Sequence, residues 1–595
     1  MNKLPKREQA KEEYCWNMKD MYVSDDEWER HYAKIEKKLE DYHTLREGAD
    51  KDAGALLRLL DFNASTEEAA EKIYVYANQK SHEDMAVALY QDMSQRASSL
   101  LVKLEYESAF IKPLIMGLGK EKIAEFIRNE QGLGLYERYF DNILRKSEHI
   151  LDDSAEALLA RVNDIAQAPS DIFAMFNNAD VKFPEIDDGS GNKVQITNGR
   201  YTAFLQNPVR SVRKAAFEGL YSMYESYKNT LAATYRSNVK QHLFYTNVRN
   251  YKSAVAYSLD DANIPVSVYD SLIDSVRKHL PLMHRYASIR KRMLGLDEMH
   301  MYDLYVPLVP DVDKKISYEE AKKLVLAGLK PLGGEYGELL KKGFDGGWID
   351  VYENEGKRSG AYSWGCYGVH PYVLLNHQDN LNSVFTLAHE MGHALHSYYS
   401  DKNQPYIYAG YKIFVAEVAS TCNEALLVNY LISSSSDRKE KMYLINYFLE
   451  QFRTTFFRQT MFAEFERITH RMAADGETLT AENMCDIYKK LNEEYFGDAV
   501  YVDKEIAMEW ARIPHFYTPF YVYQYATGFA AAVSISSAIL SGDEGVLEGY
   551  RSFLKSGGSK DPIDLLKLCG VDMTESGPVD RCMETFGRLL DEFER

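Results

Sequence analysis

The sequence predicts a mainly α fold, two-lobed and largely helical, with a small β-sheet beside one special helix. Three observations predict it. Amphipathic 3.6-residue periodicity recurs from residue 14 to about 180 and again from Pro208 to about Leu294. Two apolar helical runs, 383–395 and 413–427, carry histidines and glutamates on otherwise apolar faces. Strand-like composition is confined to two short stretches, 182–197 and 361–376. With 595 residues and 45% hydrophobic content, the chain can bury a large core and a second lobe is expected. The division is placed at 195/196, giving an N-terminal helical lobe (1–195) and a C-terminal domain (196–595).

In chain order, Ser24-Asp25-Asp26-Glu27 and Ser65-Thr66-Glu67-Glu68 have the form of helix starts ahead of amphipathic runs. Ser98 to Ile111 and Ala155 to Ala168 continue the helical period, the second ended by Pro169. Residues 182–186 and 193–197 flank the turn-rich Asp187-Asp188-Gly189-Ser190-Gly191-Asn192, which predicts a hairpin. Glycines cluster from Gly333 to Gly347 on the approach to the second lobe. Ala361 to Asn376 reads as an edge strand, interrupted by Gly365 and Gly368 and carrying Pro371. Its free backbone groups could hold an extended peptide, or it is a plain edge covered by a loop. Gly368 and His370 from this stretch, with His396 and Tyr523, are the candidate substrate contacts.

The chemistry centres on His389-Glu390-Met391-Gly392-His393. At helical spacing the two histidines project from one face, so both imidazoles reach one ion, and Glu390 points beside it. Histidines on an otherwise apolar helix need partners, and a divalent metal is one; a metal-free helix with satisfied histidines is the bland alternative. Zinc of this kind takes three protein ligands and leaves a position for water. His396 lies seven residues after His389 and is a candidate, but three ligands along two turns of a straight helix cannot surround one ion. Downstream, Glu417 and Glu424 sit seven apart on an apolar helix, where carboxylates are rare unless paired or metal-bound. Glu417 is assigned as third ligand and Glu424 as the group orienting a histidine, with the reverse as the alternative. Gly392 in mid-helix implies close approach of another backbone. One zinc ion per chain is the expected cofactor.

Arg512 to Gly528 holds His515 and four tyrosines, of which His515, Tyr521 and Tyr525 are candidate donors to a developing oxyanion; packing tyrosines with wet hydroxyls are the alternative. Net charge of −19 and a pI near 5.4 argue against nucleic acid or an anionic membrane as partner. Six scattered cysteines without C-x-x-C spacing suit reduced thiols, and the charged first residues lack an apolar signal core, so a cytoplasmic protein is expected.

Together these stretches resemble the thimet-type zinc oligopeptidases, and among them most closely the oligoendopeptidases F. The resemblance rests on His389-Glu390-Met391-Gly392-His393-Ala394-Leu395-His396, on Phe414-Val415-Ala416-Glu417-Val418-Ala419-Ser420, on Trp16-Asn17 and on the loop from His515 to Gly528. It implies a helical two-lobed body with a deep channel, Glu417 as zinc ligand, Glu390 as general base, and internal cleavage of short peptides. A terminus-trimming zincin and a metal-free peptide-binding scaffold are the alternatives. The last loop departs from the family pattern: after a one-residue insertion, Tyr521 and Tyr525 match two family tyrosines and Gly528 stands in place of a third.

Overall fold

The computed structural model describes residues 3–309 and 315–595. Helices dominate, and among the described residues strands are short: β1 (Glu185–Asp187), β2 (Lys193–Gln195), β3 (Met299–His300), β4 (Ile349–Asp350), β5 (Tyr362–Trp364), β6 (Tyr372–Leu374) and β7 (Val500–Tyr501). The expected hairpin is β1–β2, antiparallel with Ile186 opposite Val194. The chain forms two compact units, each gathered from three stretches. The first comprises Met1–Glu148, Lys314–Tyr430 and Ala538–Asp561, and the second His149–Asp313, Leu431–Ser537 and Pro562–Arg595. Periodicity marks helices but not which of them pack together, so these units follow no single cut in the chain. No helix among the described residues is long and apolar enough to cross a membrane.

Several helix starts follow their sequence signals. Ser24 caps Asp25–Lys38 by accepting the Glu27 N–H. Ser65, by contrast, caps nothing. The helix Ala53–Glu83 begins behind Asp52 and runs straight through it, because Leu56, Leu59, Leu60, Ala70, Ile73 and Ala77 keep one apolar face buried across the site. The Ser65 and Thr66 hydroxyls bond back to the Phe62 carbonyl instead. Pro169 both ends one helix and opens the next, standing in the first turn of Ala168–Met175.

In the first unit the stretch 361–376 is a hairpin and not one edge strand. Here β6 is central, parallel to β4 and antiparallel to β5, in the order β4-β6-β5. Gly365 and the left-handed Gly368 (φ 80°) allow the reversal, and Pro371 falls just before β6 where no ladder N–H is needed. Of this hairpin, β5 lies at an edge of the sheet, and Gln79 donates to its Trp364 carbonyl at 2.8 Å. The sheet packs on the helix Leu381–Asn403, the histidine helix. Trp16-Asn17 serves this sheet structurally. The Trp16 indole donates to Glu83 at 2.6 Å, and the Asn17 N–H to Gly347 O at 2.6 Å, an approach that only a glycine at 347 leaves open.

In the second unit Glu450 joins Arg453 (2.6 Å) and Arg290 (2.9 Å), with the Tyr286 hydroxyl donating to the same carboxylate. Burial pushes the Glu450 carboxyl up, but the two guanidinium charges and the hydrogen bonds prevail and hold it at about 2. Its ordinary value is 4.5, so the stabilisation it gives is complete above that pH and is lost as pH falls from about 4.5 to about 2. In urea titrations from pH 6 to pH 3, the Glu450→Gln protein is expected to be less stable at pH 6 and to lose stability less steeply on acidification. Parallel curves for the two proteins would contradict this.

Candidate metal centre and active site

Asn380 caps the histidine helix by accepting the Ser383 N–H at 2.9 Å, and their four-residue spacing puts His389 and His393 on one side of it. A second helix, Ile413–Ser434, crosses it. The two meet at Gly392, where a Cβ would stand 2.6 Å from the Ser420 Cα and 2.9 Å from the Ala419 oxygen. No other residue permits that approach, which explains the helix-weakening glycine. Asn423, wholly buried, ties the pair by donating to the Ala388 carbonyl at 3.0 Å and accepting from the Tyr336 hydroxyl at 3.0 Å.

This contact brings one carboxylate of the second helix onto both imidazoles. Glu417 Oε2 is 3.4 Å from His389 Nε2 and 3.5 Å from His393 Nε2, with the two rings 4.9 Å apart and nearly perpendicular. Tetrahedral ligands about 2.05 Å from a zinc lie about 3.35 Å from one another, so these spacings fit a single ion. Among the described residues, this is the one group of three such donors, all within 4.8 Å of each other. Glu424 lies elsewhere: its Oε1 is 2.7 Å from His389 Nδ1, on the other edge of the ring. Ser420 donates its hydroxyl to Glu417 Oε2 at 2.9 Å and fixes that carboxylate.

The electrostatics show a cluster that demands positive charge. Burial pulls the His389 imidazole down, but the hydrogen bond and charge of Glu424, with Glu390 and Glu417 nearby, push it up to about 9. Burial works against the Glu417 charge too, yet the imidazoles of His393 and His389 hold it at about 2. Glu390 is 7% exposed, and its Oε2 has no hydrogen-bond partner. Burial raises its pKa against the pull of both histidines.

The remaining candidates divide. His396 is 1% exposed, stacked on Tyr411 at 3.8 Å and against Phe553, and burial holds its imidazole down at about 3. It is not one of the three clustered donors. Tyr523 likewise is buried against Tyr269. His370 stacks on Trp348 at 5.1 Å and turns its ring nitrogens to Asp20 and to the Pro371 carbonyl. In the second unit His515, Tyr521 and Tyr525 come together, with ring centroids 6.0, 5.9 and 5.5 Å apart, and burial lowers the His515 pKa. Ser420, Asn423 and Tyr336 were not singled out from sequence. Ser420 and Asn423 lie three and six residues after Glu417 in an apolar run, the one sequence signal of their role.

Comparison with known proteins adds the lineage. Residues 203–585 match the model of peptidase family M3, and residues 115–183 match that of oligopeptidase F. The chain is 45% identical over 593 residues to oligopeptidase PepF of Bacillus subtilis strain 168, covering 100% of this chain and 88% of that protein. To the group B oligopeptidase PepB of Streptococcus agalactiae it is 37% identical over 588 residues, covering 99% and 98%. The crystal structure of oligoendopeptidase-F from Enterococcus faecium superposes with a TM-score of 0.74 at 38% identity, over 96% of this chain and 98% of that one. PZ peptidase A, at 16% identity and a TM-score of 0.65 over 95% and 97% of the two chains, shares the fold. The chain belongs to peptidase family M3, as an enzyme of the oligopeptidase F kind.

Proposed function

We propose that the protein is a zinc-dependent endopeptidase that cuts internal bonds of short peptides. The observation that carries this is one carboxylate oxygen set 3.4 and 3.5 Å from two imidazole nitrogens, with an unpaired buried glutamate in the same helix turn. His389, His393 and Glu417 would hold the ion, one per chain. When bound, zinc supplies a Lewis acid that polarises the scissile carbonyl and acidifies water. Glu390 accepts the proton of the attacking water and returns it to the departing amine. Glu424 keeps the His389 ring in the orientation and tautomer that present Nε2. His515, Tyr521 and Tyr525 donate hydrogen bonds to the oxyanion as charge develops. Gly368 and His370 are proposed as peptide contacts. The domain division at 195/196 is proposed as the division of the sequence family, since the two family models leave it between residues 183 and 203. The free cysteines fit a reducing compartment, and the cytoplasm is proposed as the protein's place.

The test uses peptides of graded length blocked at both ends. Mass spectrometry of the products is expected to show cuts at internal bonds, abolished by a chelator and restored by zinc, with a folded protein left uncut. Release of terminal residues alone from unblocked peptides would replace this with a terminus-trimming enzyme. Absence of any metal-dependent cleavage would leave a peptide-binding scaffold.

A further inference from the structure

The loop that carries His515 and Tyr521 is held at two backbone points by buried side chains from outside it. Asn238, on the helix Lys228–Val248, donates to the Phe516 carbonyl at 3.1 Å. Glu466, on the helix Arg458–Ala474, accepts the Phe520 N–H at 2.9 Å. Phe520 directly precedes Tyr521, and its φ of 58° lies in the left-handed region. A bulky residue is rarely found there, because its Cβ crowds the backbone, so the turn has to be restrained. Two restraints are present. The Phe520 ring is buried against His470 (4.6 Å) and Tyr269 (5.5 Å), and its amide is bound by Glu466. Glu466 is itself fully buried, and its second oxygen makes no hydrogen bond. A carboxyl taken wholly out of water to bind one backbone N–H is a poor choice for packing alone. Strain and unsatisfied groups of this sort gather where geometry matters to function.

We propose that Glu466 is a positioning residue for peptide hydrolysis: it holds the Phe520 amide in the left-handed turn and thereby sets where the Tyr521 and His515 side chains stand. The inference rests on the role proposed above for those two residues as oxyanion donors. With the turn held, the His515 and Tyr521 rings lie parallel, 6.0 Å apart. Released, Phe520 relaxes toward negative φ, and the Cα–Cβ direction of Tyr521 swings with the peptide planes on either side. Burial pushes the Glu466 carboxyl up to about 8 against the pull of the Phe520 N–H, which favours its uncharged form. Glutamine, uncharged and of the same shape, therefore keeps the acceptor.

The experiment measures kcat and KM on a doubly blocked peptide, with zinc content and melting temperature recorded for each protein. Glu466→Leu is expected to lower kcat roughly 10- to 100-fold. KM in that variant stays within about threefold, and Glu466→Gln stays within about threefold of wild type in both constants. Combining Glu466→Leu with Tyr521→Phe is expected to be no slower than the slower single variant, because the Tyr521 hydroxyl that the second change removes is among the donors the first displaces. A second route removes the other half of the bond: replacing the Phe520 amide by an ester deletes the donor and keeps the ring, and it carries the test if Glu466→Leu does not fold. Lowered kcat in His515→Ala or Tyr521→Phe, together with wild-type kcat in the ester protein or in folded, zinc-loaded Glu466→Leu, would overturn the Glu466 proposal alone. Unchanged kcat in both His515→Ala and Tyr521→Phe would instead reject the donor role on which it rests.

Discussion

Replacing Glu390 by glutamine is expected to lower kcat by about 10²- to 10⁴-fold while bound zinc is unchanged. The physical ground is the separation of two jobs on one helix turn. His389 and His393 share a carboxylate oxygen of Glu417, whereas Glu390 is outside that three-donor group and keeps an unpaired oxygen. Glutamine preserves the shape and removes the basicity, so the ion is held and the proton has nowhere to go. Single-turnover cleavage of a blocked peptide, alongside metal analysis by mass spectrometry, measures both halves. A glutamine variant turning over within about tenfold of wild type would show that another group accepts the proton.

The second large effect distinguishes the two acids of the crossing helix. Glu417→Ala removes one of three donors, and zinc affinity is expected to fall well beyond about 100-fold, with activity lost in parallel. Glu424→Gln leaves all three donors and disturbs only the partner of His389 Nδ1, so a loss of about 10- to 100-fold is expected. Competition with a chelator of known affinity ranks the two. A ranking with Glu424 above Glu417 would reverse their roles and place the ion on the other edge of the His389 ring.

Much of this site is legible in the chain because helical spacing is a local property. His389 and His393 fall one turn apart whatever surrounds them, and an apolar helix with two acids seven apart announces a buried charge that needs a partner. Gly392 also reads correctly, since a glycine in mid-helix is disfavoured unless another backbone comes close, and Ser420 does. Other elements misread for an equally physical reason. Ser65 has the form of a helix cap, but the buried face that runs from Leu56 to Ala77 overrides the local preference. Residues 361–376 show strand composition, yet composition does not specify pairing, and the hairpin with β6 at its centre follows from long-range contacts with β4. His396 lies on nearly the same helix face as His389, and only the packing shows that it is buried and stacked on Tyr411.

The mainly helical class, the pair of imidazoles with a glutamate beside them, and the acid-bearing helix that follows can all be read along the chain. These are consequences of short-range periodicity. Which acid meets both imidazoles depends on how two helices cross, and the crossing is set by the missing side chain at Gly392 and the tie from Asn423. Tertiary structure likewise decided that Glu466 reaches Phe520, residues 54 positions apart that no local pattern connects.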